Sequence, residues 1–139
     1  MMLELKNHKI WQDISEILDN IDVNALVAEH LEACDYQICG YWDENEQFYE
    51  EIILPRSILS KLVSSSIGIT DNQRWIKLNF ILKADNINSG NQFNDSLDRN
   101  IGSLTLIYDD QFQFVDEVWQ INTNSSLVIS SSNSDIPTG

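Results

Sequence analysis

The residues of this chain that could do chemistry are few, and their spacing suits none of the common reactions. Cys34 and Cys39 stand in a C-x4-C arrangement, which fits no common zinc or redox motif and has no second Cys or His pair to complete a tetrahedron. They read as reduced, packed thiols, with a disulfide or a reactive thiol as the alternatives. His8 adjoins the start of a first helical stripe and His30 lies on or near the apolar side of a second; single histidines in such settings are boundary or core residues more often than catalysts. Asp43, Asn45 and Gln47 mimic the opening of a calcium loop, but the glycine and the bidentate glutamate that complete one are missing, so weak cation binding is the most this allows. Glu50 with Glu51, and Asp109 with Asp110, resemble paired catalytic acids, yet neighbours on a strand point to opposite faces. No nucleotide, zinc-protease or nucleophile-elbow motif occurs, and the chain's five glycines leave little for a phosphate cradle. The expectation is a protein that is not an enzyme and that carries no cofactor and no metal site.

The elements that would position these residues follow from periodicity. Ile10, Trp11, Ile14, Ile17, Leu18 and Ile21 form one helical stripe. Val23, Leu26, Val27, Leu31 and Cys34 continue the spacing after Asn20 or Asp22, either of which could cap a second helix, although one long helix also fits. From Tyr36 the period becomes two. Tyr36 to Trp42 and Phe48 to Leu54 read as a hairpin around Asp43, Glu44 and Asn45, with Gly40 marking a bulge. Pro55 then suits the first turn of a short helix carrying Ile58, Leu59, Leu62 and Val63 and ending at Gly68. Trp75 to Lys83 alternates as a half-buried strand, Asp85 to Asn100 has the composition of a long loop, and Leu104 to Tyr108 with Phe112 to Ile121 form a second hairpin. The polar tail from Asn122 is expected to fray at its end. The fold class expected is therefore α+β: one domain of 139 residues, with two N-terminal helices and a short central helix packed on an antiparallel sheet of about five strands.

Charge is the most informative property. Twenty-two acids against eight bases give a formal charge of −14, which argues against direct binding to nucleic acid or an anionic membrane. From Ile10 through Pro55 there are twelve acids and no Lys or Arg, whereas Arg56 to Lys83 holds five bases and the single acid Asp71. A solvated surface needs a net charge of only ~2–8 in a small domain, and a larger charge costs stability by self-repulsion. The partner expected is a basic protein. Its candidate contacts are the hairpin residues Tyr41, Trp42, Asp43, Glu44, Glu46, Tyr49, Glu50 and Glu51, where rings flank carboxylates as in binding hot spots, and the helical acidic ridge Asp13, Glu16 and Asp19. Either Tyr41 with Tyr49 or Trp42 with Phe48 is left exposed if only one hairpin face meets the core. Ordinary strand packing explains the rings equally well. No long apolar run is present, and with few cysteines the pattern suits a cytoplasmic protein, monomeric or weakly dimeric when free.

A small acidic α+β chain without catalytic residues resembles the immunity proteins that bacteria make against their own polymorphic or contact-dependent toxins. The order of helix, hairpin ending in Leu54-Pro55, second helix, then Trp75-Ile76-Lys77-Leu78 leading into Gly102-Ser103-Leu104-Thr105-Leu106 is similar to the YezG-type (DUF600) immunity family. That resemblance implies binding and neutralisation of a basic toxin domain, commonly a nuclease. Two other classes stay open: a nucleic-acid mimic that occupies the groove of a DNA- or RNA-binding enzyme, and a small-ligand binder with Trp11, Trp75 or Trp119 lining an apolar pocket.

Overall fold

The computed structural model describes residues 5–84 and 99–132. The segment expected to loop out after Asp85, and residues 133–139 at the end of the polar tail, lie outside the described residues. The N-terminal stripe divides into α1 (Ile10–Asp19) and α2 (Val23–Ala33). Asp22 makes the division, because its Oδ1 accepts the Ala25 N–H at 3.1 Å and caps the second helix. Val27 and Leu31 of α2 are buried in the core, whereas α1 buries no residue fully and leaves Trp11 and Ile17 exposed. The cleaner helical stripe is thus the more loosely packed helix, since periodicity reports which side is apolar and not how deeply it sinks. At the end of α2, Asp35 and Tyr36 both adopt positive φ. The Tyr36 N–H returns to the Leu31 carbonyl at 2.9 Å, and Arg56 fixes the turn from outside, pairing with Asp35 at 2.9 Å and lying 4.8 Å from the Tyr36 ring centre.

Seven antiparallel strands follow among the described residues. β1 (Gln37–Trp42), β2 (Phe48–Ile53) and β7 (Ile129–Ser132) make a three-stranded sheet in the order β1-β2-β7. β3 (Ile58–Ile69), β4 (Arg74–Ala84), β5 (Asn100–Asp109) and β6 (Phe114–Ile121) make a four-stranded meander. The architecture is α+β, with two helices among the described residues. It departs from expectation in having two sheets in place of one of five strands, and no central helix. The region after Pro55 is the strand β3. Its apolar spacing at Ile58, Leu59, Leu62 and Val63 fits either structure, but β-branched Ile58, Val63, Ile67 and Ile69, the serines at 64 to 66 and Gly68 all disfavour helix. Pairing with β4 along nearly its whole length, interrupted by one bulge between Leu62 and Ser64, decides the matter.

One apolar core joins the two sheets. Leu78, Phe80 and Leu82 of β4 and Leu104 and Leu106 of β5 meet Val27 and Leu31 of α2, together with Ile38, Tyr41, Tyr49 and Ile52 of the first hairpin. The polar tail contributes as well, since Val128 is buried and β7 pairs with β2. Tyr108 closes the core near α2, and burial, aided by the negative charge of Glu29, pushes its phenol up from the ordinary value. Two glycines allow close approach. A Cβ on Gly68 would lie 1.8 Å from the Trp75 ring, and one on Gly102, whose φ is +147, would lie 2.1 Å from the Gln120 carbonyl oxygen.

Candidate functional site

Two of the hairpin turns, β1–β2 and β5–β6, share one construction. In the first, Asp43 Oδ1 accepts the backbone N–H groups of Asn45 and Gln47, each at 2.9 Å. In the second, Asp109 Oδ1 accepts those of Gln111 and Gln113, each again at 2.9 Å. Glu46 and Phe112 hold the matching left-handed position, with φ of 64° and 59°. The Asp43-x-Asn45-x-Gln47 spacing that resembles a calcium loop is accounted for by this turn. The Gln47 N–H above all, with lesser help from Asn45 and the Tyr49 hydroxyl and against the opposing effect of burial, holds the Asp43 carboxyl below its ordinary 3.8. Asp43 therefore keeps its charge at neutral pH while its oxygens are committed to the chain's own donors.

Behind this turn Tyr41 and Tyr49 are registered opposite each other and both are buried, while Trp42, 64% exposed, lies 4.9 Å from the half-buried Phe48 ring. Gly40, at φ +75, interrupts the alternation, so that Ile38 with Ile52 and, three residues on, Tyr41 with Tyr49 are all buried. The Tyr41 hydroxyl accepts the Ile121 N–H at 2.8 Å and so ties the first hairpin to β6. The Tyr49 hydroxyl donates to Asp43 Oδ2 at 3.1 Å and stands 3.3 Å from Thr123 Oγ1.

These ties leave an open cleft of about 670 Å³. Tyr41, Trp42, Asp43, Glu44 and Tyr49 form one wall, and Val118, Trp119, Gln120 and the segment 121–124 form the other. Of the residues expected from sequence, those five come together here. Glu46, Glu50 and Glu51 belong to the same hairpin but do not line the cleft, and Asp13, Glu16 and Asp19 lie on α1, apart from it. Glu44, Glu46 and Glu50 are exposed, and among the described residues none of them forms an ion pair. Asp13 is paired with Lys9 at 3.7 Å. Neither of the adjacent acid pairs shares a site: Asp109 caps its turn while Asp110 binds Arg74 at 2.9 Å, and Glu50 is exposed beside a half-buried Glu51.

Sequence reasoning missed the cluster behind the second wall. His30 Nε2 lies 2.9 Å from Glu117 Oε1, and the Trp119 indole N–H donates to Glu117 Oε2 at 3.0 Å. Phe114 and Trp119 flank the imidazole, with ring centres at 5.3 and 5.9 Å. This cluster clamps α2 to β6 and holds Trp119 in the cleft wall. The only signal for it in the sequence was the alternation of Glu117 and Trp119 on one face of a strand. Trp75 lies against Gly68 with the Lys77 ammonium 4.8 Å from its ring centre, Trp11 is exposed on α1, and Trp119 alone of the three expected tryptophans lines the cleft. No helix among the described residues is long and apolar enough to cross a membrane.

Comparison with known proteins finds no matching family model, no similar curated protein and no similar solved structure.

Proposed function

We propose that the protein is an inhibitor of the immunity or antitoxin kind, which binds a basic toxin domain through the face of its first hairpin and the adjoining cleft. One observation carries this reading: Glu44, Glu46 and Glu50 are exposed without ion pairs among the described residues, beside a Trp42 that is 64% exposed. Carboxylates held without partners keep their full attraction for Lys and Arg, and an exposed indole supplies contact area at small entropic cost. The bases from Arg56 to Lys83 do not shield this face. Arg56 and Arg74 are engaged by Asp35 and Asp110, while Lys61, Lys77 and Lys83 belong to β3 and β4 of the other sheet.

Electrostatic steering in such a complex accelerates encounter by ~10 to 10³-fold and weakens with salt. The test is the association rate with a captured basic partner after Glu44, Glu46, Glu50 and Glu51 are neutralised together. The expected result is a slower rate with a shallower salt dependence, and unchanged affinity and rate would exclude this face. A second reading, a small-ligand site, is favoured by the volume of the cleft, about 670 Å³, which falls within the ~300–1,000 Å³ of ligand pockets. A thermal shift with a metabolite in the absence of any protein partner would support it over the inhibitor.

A further inference from the structure

Among the described residues the two sheets present four outer edges, and three are blunted. β6 has two of its N–H groups capped by side-chain oxygens, Glu117 by Asp116 Oδ1 and Ile121 by Tyr41 Oη, each at 2.8 Å. β1 belongs to the acidic hairpin and is interrupted by the left-handed Gly40. β7 has four residues among those described. The fourth edge, β3, has twelve residues, pairs on one side only, and has no side chain capping its backbone among the described residues. Such an edge is a ready template for another strand.

We propose that β3 pairs with β3 of a second copy of this chain, joining two four-stranded sheets into one of eight. Charge selects this occupant. In a molecule of formal charge −14, the span from Ser57 to Thr70 holds no acid and only Lys61, so it is a long stretch of edge where two copies meet without like charges opposing. The bulge between Leu62 and Ser64 breaks the regularity of the edge and leaves Ser64–Ile69 as the regular, pairing portion. Symmetry narrows the register. A two-fold axis relating antiparallel strands must stand perpendicular to the sheet, so the residue at the axis faces its own copy. With Ile67 there, two side chains each 45% exposed bury one another, and Ile69, 76% exposed, falls opposite the partner copy's Ser65. The acidic hairpin lies in the other sheet and stays free, so this contact is independent of the inhibitor role.

The test is sedimentation velocity over a range of concentrations, with hydrogen exchange of the 64–69 amides, on wild type, Ile67→Lys and Ile67→Glu. Wild type is expected to dimerise with protection of those amides. Each variant alone is expected to weaken the dimer by about tenfold or more, because like charges then face each other, and an equimolar mixture of the two is expected to restore it. Ser65→Lys combined with Ile69→Lys, which sets lysines opposite each other in this register, serves as the second variant should Ile67→Lys perturb folding. A wild type that stays monomeric at every concentration overturns the proposal, as does a dimer that survives the substitutions.

Discussion

The Tyr41 hydroxyl accepts the Ile121 backbone N–H at 2.8 Å, across eighty positions of chain and between two sheets. This bond joins one residue from each wall of the cleft. Tyr41→Phe keeps the ring and removes the acceptor, leaving a buried N–H without a partner. The expected loss is about 1–3 kcal/mol, read from the urea midpoint at unchanged m-value, and the amide proton of Ile121 should exchange faster.

Acid should loosen the first hairpin through Asp43. Its folded pKa lies below 3.8, chiefly because of the Gln47 N–H, so its contribution to stability is fully present above that value and is lost as pH falls through the lower, folded pKa. Asp43→Ala is therefore expected to destabilise the protein at neutral pH and to match wild type in strong acid. Parallel urea curves between neutral pH and strong acid would show it, and an equal difference at every pH would refute it.

Glu117 is the shared acceptor of His30 and Trp119. Glu117→Ala leaves two half-buried donors without it and should cost roughly 1–3 kcal/mol. The cleft wall loosens with it, so Trp119 emission should shift to the red. Glu117→Gln, which retains one oxygen acceptor, is expected to lose less.

Much of this fold was legible in sequence, and the exceptions have physical causes. Alternation at Leu78, Phe80 and Leu82 marked a strand with one apolar face, and the structure buries all three. β3 was misread because its apolar positions satisfy a helical and an extended period alike, and pairing with β4 tips the balance. The division into two sheets depends on long-range partners, such as β7 beside β2, which local pattern does not contain. At the site, the hairpin wall could be read from composition because acids and rings cluster within one short segment. The opposite wall could not, since Trp119 and residues 121–124 are brought to it only by the path of β6. The repeated turn built by Asp43 and Asp109 was visible as Asp-x-x-x-Gln in both places, but its hydrogen bonds mark it as structural.

Gly102 tests the packing of β5 against β6. At φ +147, with a would-be Cβ 2.1 Å from the Gln120 carbonyl oxygen, Gly102→Ala meets backbone that a side-chain rotation cannot clear. A loss of about 1–3 kcal/mol from local backbone strain is expected, with the melting temperature as the readout. A neutral outcome would mean that this strand pair is looser than described.

The most direct measurement is affinity capture from a nuclease-treated lysate of the native host at low and moderate salt, with quantitative mass spectrometry. The baits are wild type and a variant combining Trp42→Ala with Glu44→Gln, Glu46→Gln and Glu50→Gln. An acidic inhibitor should recover one basic protein in equal amount, less of it at moderate salt, and none with the variant. Recovery of nothing at either salt, or equal recovery by both baits, would contradict that role.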